Sequence, residues 1–219
     1  NFHVNTGGEA GYKDFVFFLF CCFLFGLAPS NAKTVKKPFM RIVADCALCH
    51  DADGNASAHK NWPKLAGQNF NYLLKQLHDF HPKLAPQQGR YNPIMSALVT
   101  SLSESEKIKI ANYYASLPGS IDGAETNLLS LGQRLYRGGD FNKGIPACLA
   151  CHNPAGLGNP PAGFPRLSGQ HAAYIESQLK AFRNGARHND KYQIMEIISQ
   201  KMSDIDIKAV ANYISGLYF

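Results

Sequence analysis

The sequence predicts an all-α protein made of two homologous halves, and three observations lead to this prediction. Blocks of residues recur in one order along the chain, separated by 102 or 100 positions. Apolar residues recur at helical spacing in several segments, whereas the alternation typical of strands is scarce. Serine-led capping patterns mark the start of a helix in each half. We therefore expect two tandem helical domains of similar length.

The composition excludes several classes of protein. The chain has 219 residues, of which 45% are apolar and 17% charged, with a formal net charge of +6 and a pI near 9.0. This apolar content is too high for a disordered chain. No run of 18 apolar residues is present, which excludes a multi-span membrane protein. The positive charge suits an acidic partner surface, but no Lys/Arg cluster predicts a nucleic-acid partner.

The first 32 residues are expected to direct export rather than to fold. Phe15–Ala28 is an uncharged apolar run. As a helix it would span roughly 21 Å, which is short of a hydrocarbon core of about 30 Å. Ser30–Ala32 then offers a small-x-small cleavage site, so we prefer a cleaved secretory signal. An uncleaved membrane anchor and a buried core helix are the alternatives. Cys21 and Cys22 fall in this run, so four cysteines remain in the mature part.

The repeat defines the boundaries of the two halves. Cys46–His50 recurs as Cys148–His152, and Pro63–Gln68 recurs as Pro165–Gln170, both after 102 positions. Further pairs recur after 100 positions: Ile94-Met95 with Ile194-Met195, Ser103 with Ser203, and Ala111–Tyr113 with Ala211–Tyr213. We expect a first domain over 33–118, a turn-rich linker over 119–124, and a second domain over 125–219.

Two helices are predicted from apolar spacing and two from their caps. The first pair is Asn71–Phe80 and Tyr174–Phe182. The second pair opens at Ser103 and Ser203 and runs to Leu117 and Leu217. The residues expected to face a core are Ile108, Ala111, Tyr113, Tyr114, Ile207, Val210 and Ile214. Long Gly/Pro/Asn stretches such as Gly156–Gly163 indicate that something large completes each small core.

The repeated C-x-x-C-H motif carries the chemistry. Two cysteines three positions apart lie on one face of a helical turn, so both sulfurs can form thioethers along one haem edge, and the adjacent histidine points at the iron. A thioredoxin-like pair would need a βαβ setting, which is absent from the pattern. Zinc or ordinary disulfides remain alternatives, but neither explains why His follows directly in both copies. We expect two covalent haem c groups, bound through Cys46, Cys49, Cys148 and Cys151, with His50 and His152 as iron ligands.

The second axial ligand is expected to be methionine. Met95 and Met195 match across the repeat while most of their neighbours vary, which favours ligation over core packing. Met40 precedes the first motif, and Met202 aligns with Leu102, which predicts a core residue. The histidines His59, His78, His81, His171 and His188 could supply bis-His sites. None of them matches another histidine across the repeat, and we expect them at the surface.

These motifs resemble those of the cytochrome c4 family, the two-domain members of the class I cytochromes c. The resemblance runs from about Arg41 to the C-terminus. It is closest over Leu135–Gly139, Pro146–His152 and Phe164–His171. It implies two tandem class I cytochrome c domains with the axial pairs His50/Met95 and His152/Met195. It also implies that the Pro63 and Pro165 carbonyls accept a hydrogen bond from Nδ1–H of the ligating histidines.

The expected function is electron transfer without catalysis. Imidazole and thioether ligands on both irons leave no open position, and the thioether raises the reduction potential. We expect a periplasmic electron carrier that takes single electrons from a donor such as the quinol–cytochrome c oxidoreductase and passes them to a terminal oxidase. A dihaem electron-transfer subunit of a flavocytochrome-type dehydrogenase is the alternative, and a dihaem peroxidase is less favoured. We expect a monomer that binds redox proteins and no nucleic acid, and that associates with the membrane only if the N-terminal segment is kept.

Overall fold

Helices supply nearly all the regular structure of the chain, as a computed structural model of residues 38–83 and 89–218 describes it. The first half contains α1 (Phe39–His50), α2 (Phe70–Asp79), α3 (Pro93–Thr100) and α4 (Glu104–Ser116). The second half contains α5 (Leu129–Gly138), α6 (Leu149–His152), α7 (Ala172–Arg183), a 3₁₀ turn (Lys191–Gln193), α8 (Ile194–Gln200) and α9 (Asp204–Ser215). In these ranges, extended pairing is confined to two isolated bridges, Asp140 with Ile145 and Asn159 with Phe164. The all-α prediction is therefore confirmed, and the predicted export segment lies outside the described residues.

The two predicted capping boxes are present. At α4, the Glu106 carboxylate accepts the Ser103 amide hydrogen over 2.7 Å. At α9, the Asp206 carboxylate accepts the Ser203 amide over 2.9 Å, and the Ser203 hydroxyl accepts the Asp206 amide over 3.3 Å. Each box satisfies amide groups that a helix N-terminus leaves without an intrahelical partner. Both helices end slightly before the predicted leucines, at Ser116 and Ser215.

Each half has its own apolar core. In the first half, α2 packs on α4 around Leu73, Ile110, Ala111 and Tyr114. In the second half, α9 packs on both α5 and α7, and α7 also packs on α8. The buried residues there include Leu135, Tyr136, Ile175, Leu179, Met202, Ile207, Val210 and Ile214. Met202 is thus a core residue, as predicted.

The prediction that Ile108 faces the core is wrong. Its side chain is 38% exposed, whereas Lys107, Ile110, Ala111 and Tyr114 are buried. Those four residues form a stripe at i, i+3, i+4 and i+7 along α4, and Ile108 lies off that stripe.

In each half, a glutamine side chain forms hydrogen bonds with the backbone of the other half. Gln68 accepts the Arg166 amide hydrogen over 2.8 Å and donates to the Arg166 carbonyl over 2.9 Å. Gln170 does the same to Lys64, with both distances 2.9 Å. Gln68 and Gln170 are repeat partners, as are Lys64 and Arg166. Both glutamines are buried, so the repeated Pro-x-Leu-x-Gly-Gln block forms one of the contacts between the halves.

None of the described helices is long and apolar enough to cross a membrane.

Candidate haem sites

The first C-x-x-C-H motif lies at the C-terminal end of α1. Cys46 and Cys49 are half-buried thiols on this helix, and His50 is its last residue. The same helix buries Ile42, which belongs to the first core together with the adjoining Cys46, and also buries Val43. In the second half, the motif occupies the short helix α6 and the residues just before it. The helical turn presents both sulfurs of each motif on one side, as the spacing predicts.

The backbone turns sharply after each histidine. Asp51 has φ 60° and ψ 161°, and its repeat partner Asn153 has φ 75° and ψ 147°. Residues other than glycine rarely adopt this region, and they keep it only where the surroundings impose it. The same unusual backbone at equivalent positions indicates that the turn is needed to direct the chain back beneath the imidazole.

A glycine three residues further on anchors this returning loop in both halves. The Gly54 carbonyl accepts the amides of Leu65 and Ala66 over 2.7 and 3.0 Å, and Gly156 accepts the amides of Leu167 and Ser168 over the same distances. Gly54 has φ 74°, and a Cβ there would lie 2.9 Å from the Tyr114 ring. Glycine alone fits this close approach.

The loop brings a proline carbonyl under each histidine ring. His50 Nδ1 lies 2.9 Å from the Pro63 carbonyl oxygen, and His152 Nδ1 lies 3.1 Å from that of Pro165. These are the contacts that the family resemblance implies. Because Nδ1 donates to the carbonyl, the neutral ring keeps its lone pair on Nε2, which is the nitrogen available to a metal.

The electrostatics of the two sites favour uncharged ligands. Burial lowers the pKa of His50 and of His152, although the carbonyl bonds oppose the shift, so the neutral imidazole is preferred. Burial also raises the pKa of Cys46 to about 11 and that of Cys148 to about 11. A zinc site would require thiolates, which these environments disfavour. A neutral thioether is compatible with them. The donor set therefore fits a covalently attached haem.

The two predicted axial methionines are half-buried near the start of equivalent helices. The Met95 amide on α3 donates to the Asn92 side chain over 3.0 Å. The Met195 amide on α8 donates to the Asp190 carboxylate over 2.6 Å, and its side chain packs on the second core together with Cys148. A side-chain acceptor thus fixes the backbone of each methionine, although the spacing to that acceptor differs between the halves.

Two buried arginines form a part of this region that the sequence did not reveal. Arg90 lies over the Phe80 ring and donates to Gln76 and, over 2.7 Å, to the Tyr174 hydroxyl of the other half. Arg187 lies over the Phe182 ring and donates to Gln178 over 2.8 Å and to the Tyr72 hydroxyl of the first half over 3.0 Å. Burial raises the pKa of Tyr72, but Arg187 and Arg90 more than compensate and lower it to about 8.

The pKa of the Tyr72 phenol is lowered because Arg187 and Arg90 place positive charge in the interior between the halves. The tyrosines and glutamines of this network match across the repeat, but Arg90 and Arg187 are separated by neither 102 nor 100 positions. A search for repeated blocks therefore could not pair them.

The expectation that the remaining histidines lie at the surface is wrong for His171. Its side chain is fully buried between the halves, whereas His59 is exposed and His78 is partly exposed. His171 follows directly after Gln170 and has Asn69 as its repeat partner, so the absence of a matched histidine hid its role.

Between residues 38 and 83 and between 89 and 218, no group of three or more His, Cys, Asp or Glu side chains could hold a metal ion by itself.

The helical fold and the paired C-x-x-C-H sites define a class I cytochrome c, and the cytochrome c family model matches residues 129–217. Cytochrome c4 of Pseudomonas aeruginosa is 46% identical over 177 residues, covering 80% of this chain and 85% of that protein. The crystal structure of reduced recombinant cytochrome c4 from Pseudomonas stutzeri is similar with a TM-score of 0.78 and 44% identity, covering 82% of this chain and 97% of that one. The chain belongs to the cytochrome c4 family.

This membership gives the cofactor and the general role. The protein is a dihaem electron-transfer cytochrome rather than an enzyme, and it carries two covalently attached haem c groups. It acts as a redox carrier with protein partners. The chain is also similar to the thiosulfate dehydrogenase electron acceptor of Stutzerimonas stutzeri, with 38% identity over 78% of each chain.

Proposed function

We propose that the protein is a periplasmic electron carrier in which His50 and Met95 bind one haem iron, and His152 and Met195 bind the other. Cys46 and Cys49 form the thioethers of the first haem, and Cys148 and Cys151 those of the second. The observation that carries the proposal is the pairing of each motif histidine with a proline carbonyl, at 2.9 Å to Pro63 and 3.1 Å to Pro165. The ring orientation and the free Nε2 are those an iron ligand needs.

The haem supplies a one-electron change at iron between Fe(II) and Fe(III). The chain contributes the two neutral ligands and the rigid loops that hold them. The Pro63 and Pro165 carbonyls fix the imidazole tautomer, and apolar burial disfavours added charge at the site. With a histidine and a methionine bound to each iron, no position would be left for a substrate, so we expect electron exchange without substrate binding at iron.

We propose that the guanidiniums of Arg90 and Arg187 bind the haem carboxylates. Both guanidiniums are buried, and their contacts above are neutral phenols, amides and aromatic rings. A buried cation is stabilised by an anionic partner, and guanidinium suits a carboxylate particularly well. Haem carries two such carboxylates.

The proposed organisation is a first domain over 33–118, a linker over 119–124 and a second domain over 125–219, in a monomer. Export into the periplasm is supported by the apolar segment and cleavage site that end at Ala32. The proposed donor is a quinol–cytochrome c oxidoreductase and the acceptor a terminal oxidase. A net charge of +6 favours partners with acidic surfaces, and the association rate should fall with salt.

A reductive titration of the purified haem-loaded protein tests this function. We expect each chain to take up two electrons in one-electron steps and to show no peroxidase turnover with a reduced donor. Two results would contradict the carrier assignment. One is that carbon monoxide binds to either ferrous iron without loss of the native ligand set. The other is peroxide turnover well above that of free haem.

The similarity to a thiosulfate dehydrogenase electron acceptor supports a second candidate, in which a dehydrogenase is the donor. The two candidates differ in the protein that reduces the chain. Stopped-flow reduction by a purified thiosulfate dehydrogenase and by a quinol–cytochrome c oxidoreductase, measured at matched ionic strength, distinguishes them. Faster reduction by the dehydrogenase would favour the second candidate.

A further inference from the structure

A buried histidine links the two halves at the linker. His171 precedes α7 in the second half, and its side chain is 0% exposed. Its Nδ1 lies 2.5 Å from the Asp122 carboxylate in the linker. Its Nε2 lies 3.1 Å from the carbonyl oxygens of Asn55 and Ala56, in the loop that follows the first C-x-x-C-H motif.

Both ring nitrogens therefore face hydrogen-bond acceptors. A neutral imidazole has one N–H and one lone pair, so in either tautomer a lone pair would point at a carboxylate or at two carbonyl oxygens. Such a buried arrangement leaves acceptors facing each other without a proton between them, which is costly. The imidazolium has two N–H groups and satisfies every contact.

The charges around the ring support this assignment. Asp122 also accepts from Lys64 Nζ over 2.8 Å and lies 3.4 Å from Lys60 Nζ. Burial opposes ionisation of Asp122, but its hydrogen bonds to Lys64 and His171 lower its pKa to about 2. The carboxylate that faces His171 is therefore ionised at neutral pH. The other charged groups nearby are Asp53, which binds Asn55, and Arg166, which lies near Lys64.

We propose that His171 carries both ring protons and that this imidazolium clasps the linker to the loop behind the first haem motif. The loop is tied to the motif, because the Ala56 amide donates to the His50 carbonyl over 3.1 Å. The linker is tied to the second core, because the Asp122 amide donates to the Ser215 carbonyl over 3.2 Å. His171 is thus a positioning residue that fixes one haem-binding half against the other.

This fixed arrangement sets the separation across which an electron passes between the halves. The positioning role rests on the proposed assignment of His50 and His152 as haem ligands, whereas the protonation state of His171 does not. An error in the ligand assignment would appear in the haem spectra and leave the ring protons unchanged.

The protonation state is tested on the wild-type protein. Long-range ¹H–¹⁵N spectra of the reduced, diamagnetic, haem-loaded chain at pH 7 show how many ring nitrogens of each histidine carry a proton. We expect two protonated nitrogens for His171, whose ring signals are assigned by through-bond correlation to its own backbone. One protonated and one bare nitrogen would overturn the proposal, and this arm does not depend on any variant folding.

The clasp is tested by hydrogen exchange at the amides of Lys64 and Arg166. Each of these amides donates to a glutamine of the other half, so their exchange reports separation of the halves. In His171→Asn the amide nitrogen takes the place of Nδ1, and in His171→Gln it takes that of Nε2, so each variant keeps only one donor. Loss of one buried charge-assisted hydrogen bond should speed exchange at both amides by about tenfold or more.

The matched control is His78→Gln. His78 also pairs with a carboxylate, at 2.9 Å from Glu104, but this pair lies within the first half and is partly exposed. Exchange at Lys64 and Arg166 should stay within about twofold of wild type in this variant. Wild-type exchange in either His171 variant would overturn the clasp, as would equal acceleration in the control.

Discussion

Replacing Gln170 with leucine should measure how strongly the contact between the halves stabilises the protein. The Gln170 side chain is 7% exposed, and its amide oxygen accepts the backbone amides of Lys64 and His171, both over 2.9 Å. Its amide nitrogen donates to the Lys64 carbonyl over 2.9 Å. Leucine is similar in volume but makes none of these bonds, so three buried backbone groups lose their partner.

Each orphaned group costs about 1–3 kcal/mol, and water entering the interface recovers part of this. We therefore expect Gln170→Leu to lower the free energy of unfolding by about 2–4 kcal/mol. The assay is urea denaturation of the haem-loaded chain, followed by circular dichroism. The control is Gln133→Leu, which places the same side chain at an exposed position of α5. The control should stay within about 0.5 kcal/mol of wild type. Equal stability of the two variants would refute the view that these amides join the halves.

Two further predictions concern the second core and the linker. A Cβ at Gly132 on α5 would lie 2.1 Å from a carbonyl oxygen of α9, so Gly132→Ala should cost about 3 kcal/mol in thermal unfolding. The control is Gly138→Ala on the same helix, where the added Cβ meets nothing within 4 Å and the change should be neutral or slightly stabilising. Equal changes in stability in the two variants would show that α5 and α9 do not cross this closely. Asp122→Asn removes a carboxylate whose pKa is lowered to about 2 by Lys64 and His171 despite its burial. Because the folded pKa lies below the unfolded value of about 3.9, the carboxylate stabilises the fold above pH 4, and this stabilisation is lost as the pH falls towards 2. In urea titrations, the stability difference between wild type and Asp122→Asn should be about 1–2 kcal/mol at pH 7, allowing for partial solvent screening. This difference should vanish near pH 2. A difference that stays constant with pH would contradict the coupling between the pKa of Asp122 and stability.

Features that depend on local sequence could be predicted well. The capping boxes at Ser103 and Ser203 involve residues three positions apart, and both are present. The C-x-x-C-H motifs likewise lie within one helical turn, so their spacing alone indicates the geometry of the sulfurs. The carbonyl contact to Pro63 is 13 residues away from His50, and it could be anticipated only from the family resemblance.

Contacts across the halves could not be predicted from spacing. Arg187 bonds the Tyr72 hydroxyl 115 positions away, and His171 bonds carbonyls 115 and 116 positions away. No local pattern records such pairs, because the partners meet only when both halves are folded and packed. The interface glutamines were visible as repeated residues, but their exchange of hydrogen bonds depends on how the two loops face each other. Ile108 shows the remaining source of error, since one step around a helix moves a side chain from the core to solvent.

Haem ligation by Met95 and Met195 is the central claim, and the optical band of ferric Met–haem ligation tests it most directly. The measurement is the intensity of this band in Met95→Ala, in Met195→Ala, and in Met40→Ala as the control, since Met40 is exposed and precedes the first motif. We expect each ligand variant to lose about half of the band, the double variant to lose all of it, and the control to keep it in full. A full band in either single ligand variant would contradict the assignment of that methionine to iron.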